Sequence, residues 1–257
     1  MPERTPRNRI VLSAVEFDVV WRSLGLGAPP VVLLLPSPGR THTERRRIEA
    51  QAWRALRERG LGVDHGLAEF MRRLAAPSPR VEVRVWGAST RRAVLAGGML
   101  AWRRDDTVVL EPCDSATTAV IGVLGGGRPG PGRAASVPDA DLTAALRRPS
   151  GAGLRADLVA RGGDPTEAGL VGRMLHAVAE RAQIAVVLTN RWGALRRSAL
   201  LEVLDSPAGR YLLTRSHGGD GSCWATVAPV DDRRLRRRVD DLLSPGRRAA
   251  SAAGLLR

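Results

Sequence analysis

Phe17, Val20, Trp21 and Leu24 recur at the spacing that places them on one face of a helix. Ser13 and Glu16 stand in front of them at the distance of a capping box, in which each side chain takes a free backbone amide, so a helix over about 13–24 is predicted. The unbroken apolar run 31–35, between Pro30 and Pro36, reads as a buried strand, and Pro36-Ser37-Pro38-Gly39 as a turn. Thr41 and Glu44 repeat the capping-box spacing. They open a long helix to about 59, ended by Gly60, with Ile48, Ala52, Ala55 and Leu56 inward. Leu67, Phe70, Met71 and Leu74 predict a third helix that stops before Pro77.

At Arg80 the period shortens to that of a strand: Val81, Val83 and Val85 alternate with Glu82, Arg84 and Trp86. Strands are predicted at 93–102 and 107–111 around a turn at Arg104-Asp105-Asp106, then a helix to about 124, and the Gly/Pro stretch 125–133 reads as a linker. Beyond it come helices at 139–147, 153–160 and 164–181, and strands at 184–189, 195–204, 211–214 and 224–227. A last helix turns Leu235, Val239, Leu242 and Leu243 inward. Two strand-to-helix corners match, Pro112-Cys113-Asp114 and Pro229-Val230-Asp231, each with its Asp as the N-cap. The order helices, strands, helix thus occurs twice. It predicts an α+β fold: two structurally similar halves (about 10–124 and 134–244), a pseudo-two-fold arrangement around a central, mainly antiparallel sheet flanked by helices, with a flexible tail at 245–257.

Composition adds a partner question. The net charge is +14, and all the basic residues are arginine. A basic surface attracts nucleic acid, an acidic protein or a membrane face, and charge alone does not choose. No run approaches the roughly 20 apolar residues of a membrane helix. Glu16 and Asp18 break any export core behind the basic N-terminus, so a cytoplasmic location is expected. Cys113 and Cys223 read as reduced core thiols in that compartment.

Chemistry-bearing patterns are few. His42, His65, His176 and His217 are scattered without a second ligand at helix or hairpin spacing, so no metal is expected. Gly125, Gly127 and Gly130 match G-x-G-x-x-G formally, but Pro129 and Pro131 stop the helix that a bound pyrophosphate would need, so no cofactor is expected. Ser37 has no partner motif, and the adjacent pairs Asp105-Asp106, Asp231-Asp232 and Asp240-Asp241 suit turns and caps better than acid–base work. No enzyme is expected. The run Arg233 to Arg238 reads as a solvated helix face without interleaved aromatics. Trp21, Trp53 and Trp224 fit buried faces, whereas Trp192 sits in the turn Asn190-Arg191-Trp192-Gly193, either as an interface residue or folded over its own sheet.

Three stretches carry a resemblance: VVLLLPSPGRTHTERR from Val31, LLEVLDSPAGRYLL from Leu200, and WATVAPVDDRRL from Trp224. In this order, across nearly the whole chain, they resemble the EspG family, the chaperones associated with ESX (type VII) secretion in actinobacteria. The resemblance implies one EspG-like domain over 1–257 that covers the self-associating tip of a helical PE–PPE-type substrate and keeps it soluble for export, without catalysis or cofactor. It implies a binding surface made of the sheet, neighbouring loops and C-terminal helices. Exposure and residue type then place partner contacts at Arg91 and Arg92 of the Ser89–Arg92 turn, at Met99 and Trp102, at Arg191 and Trp192, and at Arg196. Gly39, Thr41 and Glu44, and Asp205, Pro207, Gly209 and Tyr211, read as structural. This chain is more basic than the family pattern, so the cargo is either PE–PPE-like or another helical protein, an acidic one if the positive surface takes part. The alternative is an electrostatic nucleic-acid binder.

Overall fold

The computed structural model describes residues 9–36, 39–62, 65–75, 79–146, 153–189 and 195–243. The first half runs β1 (Ile10–Ser13), α1 (Ala14–Ser23), a 3-10 turn (Val31–Leu33), α2 (His42–Glu58), α3 (His65–Leu74), β2 (Arg80–Trp86), β3 (Arg91–Ala96), β4 (Met99–Arg104), β5 (Thr107–Pro112) and α4 (Ala116–Leu124). The second runs β6 (Ala135–Pro138), α5 (Asp139–Leu146), α6 (Leu154–Ala160), α7 (Pro165–Met174), β7 (Glu180–Thr189), β8 (Leu195–Ser206), β9 (Gly209–His217), β10 (Cys223–Pro229) and α8 (Asp232–Leu243). Among the described residues, and apart from the 3-10 turn, each half is one strand, three helices, four strands and one helix. The ten strands of the described residues form a sheet in the order β1-β5-β4-β3-β2-β7-β8-β9-β10-β6, which passes through equivalent strands from either end. The α+β fold of two similar halves predicted from the sequence is the fold the chain adopts.

The chain divides into two compact units. One is built from residues up to Arg84, Ser89–Val123 and Ala185–Ser198; the other from Val85–Ala88, Leu124–Ile184 and the residues from Ala199 on. In the first, Phe17, Val20 and Trp21 of α1, Leu56 of α2 and Leu67, Met71 and Leu74 of α3 close over Val94, Ala101, Val108 and Leu110 of the strands. In the second, Leu142, Leu158, Val171 and Met174 close over Leu204, Tyr211, Leu213, Ala225 and Val227.

Local signals explain most elements. The capping box at α1 is complete: Glu16 N–H donates to Ser13 Oγ at 3.1 Å, and Ser13 N–H donates to Glu16 Oε2 at 2.7 Å. At α2, Thr41 Oγ1 accepts Glu44 N–H, but the Glu44 carboxylate turns to Arg40 N–H instead, so only half of the box forms. The corners differ by one residue. Asp231 caps α8 by accepting Arg234 N–H at 2.7 Å, whereas Ser115, not Asp114, caps α4.

Three predicted elements are corrected. The run 31–35 is no strand: Val31–Leu33 forms a 3-10 turn ended by Leu34 in the left-handed region (φ 46°). Only Val32 and Leu33 are buried, while Val31 is 70% and Leu34 59% exposed. Five apolar residues are too few for periodicity to separate a strand from a turn of helix. The segment 93–102 is two strands, because Gly97 and Gly98 both take positive φ (57° and 74°), as a tight hairpin turn demands. The helix predicted to run to 181 stops at Met174. Ala177 adopts φ 52°, and Ala179 N–H donates to Asp205 C=O at 2.8 Å, drawing the chain into β7. Two strands went unpredicted, β1 and β6, which pair with β5 and β10.

The stretch 125–133 lies along β9. Arg210 N–H donates to Arg128 C=O at 2.8 Å, and Gly130 N–H donates to Arg210 C=O at 3.2 Å. A Cβ on Gly130 would lie 2.1 Å from Cζ of the buried Tyr211 ring, which has nowhere to retreat. Gly130→Ala is therefore expected to destabilise the fold by about 1–3 kcal/mol in urea unfolding. Gly126→Ala, whose nearest atom is a carboxylate oxygen 3.9 Å away, should leave the midpoint unchanged. Equal effects of the two would show that packing against Tyr211 is not the constraint.

Candidate partner-binding surface

Alternation along β3 and β4 divides their side chains between two faces. Val94, Ala96, Met99 and Ala101 belong to the core under the helices. Arg92 and Arg103, directly paired across the two strands, continue that same face beyond the core. Arg84 of β2 joins them: burial first, then the nearby charges of Arg84 and Arg103, push the Arg92 guanidinium below its ordinary range. The acidic neighbour is Glu82, shared between Arg80 (3.4 Å) and Arg84 (3.8 Å). Arg103 is tied to the 3-10 turn. Its Nη1 donates to the carbonyls of Leu33, at 3.0 Å, and Leu34, and its Nε to Asp105 C=O at 2.7 Å. The turn packs on β3 and leaves Val31 and Leu34 in solvent. An exposed apolar pair thus stands beside a cluster of arginines, with its backbone clamped by one of them.

The opposite face meets α4. There a cleft of about 520 Å³ is lined by Arg9, Arg91, Trp102, Glu111, Cys113 and Thr118, among others. Arg91 Nε donates to Val123 C=O at 3.1 Å, satisfying an end carbonyl of α4. The guanidinium of Arg9 lies 5.9 Å from the Trp102 ring centroid, within cation–π range. Burial pushes the Cys113 thiol up, so it is a poor nucleophile at neutral pH.

Of the contact residues predicted from the sequence, those the structure describes lie in different places. Arg91 and Trp102 line the cleft, and Arg92 points to the other face. Met99, predicted to be exposed, is 8% exposed and sits in the core, because the hairpin turn places it directly opposite Ala96. Arg196 lies on β8, with its side chain outside the described residues, and Arg191 and Trp192 lie outside them altogether, as does the tail from 245. Trp224 is exposed and not buried, since Ala225 and Val227 take the inward positions of β10. Of the cysteines, Cys113 is half-buried and Cys223 exposed, and both are free, so Cys223 is no core residue. Sequence reasoning missed Val31, Leu34, Arg84 and Arg103. The Arg91-Arg92 and Arg103-Arg104 doublets were the available signal, but reading 31–35 as a buried strand hid the apolar pair.

The second-half motif is structural, and its centre is a residue the sequence did not single out. Arg210 is 2% exposed. It makes two parallel bonds to Asp205, Nε–Oδ1 at 2.7 Å and Nη2–Oδ2 at 2.8 Å, and its Nη1 reaches Gly125 C=O (2.9 Å) and Asp232 (3.3 Å). The hydrogen bonds to Asp205 hold its guanidinium above the ordinary range, so it is permanently charged. Further along the strands, Glu202 is shared by Arg181 and Arg215, and Arg215 also bonds Asp139 at 2.8 Å.

Among the described residues no group of His, Cys, Asp and Glu side chains is placed to hold a metal ion. Among them also, no helix is long and apolar enough to cross a membrane. The sequence profile of the EspG family matches residues 13–241. No curated protein matches the chain. Among solved structures, the chain is similar to the Mycobacterium tuberculosis type VII secretion system chaperone EspG5 in complex with the PE25–PPE41 dimer. The TM-score is 0.69 at 18% identity, over 91% of this chain and 95% of that one.

Proposed function

The chain belongs to the EspG family, and from that premise we propose that it is a cytoplasmic chaperone of type VII secretion, binding helical PE–PPE-like substrates and keeping them soluble for export. The match over 13–241 carries the reading; support comes from the fold shared with EspG5, a protein solved with a PE25–PPE41 dimer. The task is binding, without catalysis or cofactor. Both halves, about 10–124 and 134–244, serve as one EspG-like module.

The geometry suits an apolar, acidic-rimmed cargo. Val31 and Leu34 offer the contact that covers an aggregation-prone tip, and Arg84 and Arg92 beside them favour carboxylates and speed encounter. Arg91 and Trp102, the Arg191–Trp192 turn and Arg196 are secondary contacts in this proposal, with Met99 supporting the hairpin from beneath.

The test is co-expression with helical secretion candidates, followed by size-exclusion chromatography at about 0.3 M salt, where surface charge is screened. The parent chain should co-elute with its cargo. Val31→Asp with Leu34→Asp should weaken the complex by about 30-fold or more, the equivalent of losing one hot spot of about 2 kcal/mol, while Tm stays unchanged because both side chains are exposed. An undiminished complex would move the contact elsewhere. A parent chain that purifies alone, and binds duplex DNA with a steep salt dependence, would replace the chaperone reading with nucleic-acid binding.

A further inference from the structure

Among the described residues, the ten-stranded sheet ends in β1 on one side and β6 on the other. An edge strand turns a row of backbone N–H and C=O groups outward, a template on which another strand can pair. In β1 the outward groups are those of Val11 and Ser13, since Leu12 and Ala14 face inward; Ala14 N–H donates to Asp106 C=O at 2.7 Å. Val11 C=O accepts from Arg59 Nη1 at 3.0 Å, and Ser13 N–H donates to Glu16 Oε2 at 2.7 Å. Arg59 and Glu16 are themselves joined, Nη2 to Oε2, at 2.8 Å.

The other edge repeats this arrangement with unrelated residues. Ala134 C=O accepts from Arg133 Nη1 at 2.8 Å, Ser136 N–H donates to Glu167 Oε2 at 2.9 Å, and Arg133 Nη2 meets Glu167 Oε1 at 2.6 Å. In both cases the guanidinium takes the carbonyl of residue i and the carboxylate takes the amide of residue i+2. Each ion pair thus supplies the donor and the acceptor that a further strand would bring. The arginines come from different places, the C-terminus of α2 and the segment before β6, so local sequence does not force the coincidence.

We propose that the Arg59–Glu16 and Arg133–Glu167 pairs are edge guards: they occupy the pairing sites of β1 and β6 and keep the sheet from joining, strand to strand, with a second copy of this chain. The partner excluded is a second copy because two β1 strands laid antiparallel present the same outward groups to each other, a self-complementary two-fold contact. Val11, exposed on β1, adds an apolar side chain to that contact. The β6 edge is the weaker template, since Pro138, next in the outward row, has no N–H to offer. Arg133 and the Ser136 amide hold the Glu167 carboxyl below the usual carboxylate range, so this guard stays charged at neutral pH.

The test is light scattering coupled to size-exclusion chromatography on the full chain over a range of concentrations. The parent should run as a monomer of 27.5 kDa. Arg59→Ala with Glu167→Ala should shift toward twice that mass as concentration rises, with an unchanged circular dichroism spectrum; Arg59→Ala alone should do most of this. Arg59→Lys with Glu167→Gln, which keeps a donor and an acceptor in place, should stay monomeric. Adding Val11→Pro to Arg59→Ala should restore the monomer, because proline removes an outward N–H that the ladder to β5 does not use. A folded double variant that stays monomeric at every concentration would overturn the proposal. So would a dimer that Val11→Pro leaves intact.

Discussion

Arg210→Ala should cost about 3–5 kcal/mol of stability, read as a lowered urea midpoint by circular dichroism. The loss has three parts. Asp205 and Asp232 lose their shared countercharge, the Gly125 carbonyl loses its donor, and a cavity opens between β9 and the 125–133 stretch. The geometry sets what rescues. Lysine offers a point charge without the planar fork that meets both Asp205 oxygens, so Arg210→Lys should recover less than half of the loss. Arg210→Met with Asp205→Leu, which removes both charges and keeps the volume, should be milder than Arg210→Ala. If Arg210→Ala cost less than about 1 kcal/mol, water would be replacing the guanidinium, and the buried cluster would not be what secures this corner.

Trp21→Ala is the matching experiment in the other unit, with an expected cost of about 3–5 kcal/mol. Trp21 is 1% exposed and stacks on Phe17, with ring centroids 5.5 Å apart and planes 15° from parallel. Its Nε1 also donates to Gly27 C=O at 3.1 Å, fastening the chain that leaves α1. Removing the indole empties the centre of the core and frees that loop. Trp21→Phe keeps most of the packing and should cost about 1–2 kcal/mol, mainly for the unpaired carbonyl. A Trp21→Phe loss as large as that of Trp21→Ala would assign the stability to the hydrogen bond and not to the buried ring.

What could be read from the sequence follows from how local each signal is. The α1 capping box, the α3 stripe of Leu67, Phe70, Met71 and Leu74, and the alternation in β2 are complete within a dozen residues, and all three are in the structure. The repeated order of elements carried the two-half fold, because each half has enough elements for order itself to be informative. Strands β1 and β6 are four residues each and owe their existence to partners about 90–100 positions away, so no local pattern announces them. The 31–35 run failed for a different reason: five apolar residues are too few to separate a strand from a turn of helix, and Arg103, which holds two of its carbonyls, comes from 70 residues on. The proposed contact surface was the least legible part. Arg91 and Arg92 are neighbours in sequence, but the pleat sends them to opposite faces, and only the pairing register shows which face each meets.

The pairing of Ile10 with Leu110 has a consequence for how the chain is made. Strands β3, β4 and β5 join through short hairpins and can assemble as each leaves the ribosome, but β1, synthesised first, finds its neighbour only after about 100 further residues have emerged. Until then Leu12, destined for the core, has no ladder to hold it there. The same delay recurs for β6, whose partner β10 comes near the end of the chain. In each half, the strand made first can join the sheet only after the last strand of that half has emerged.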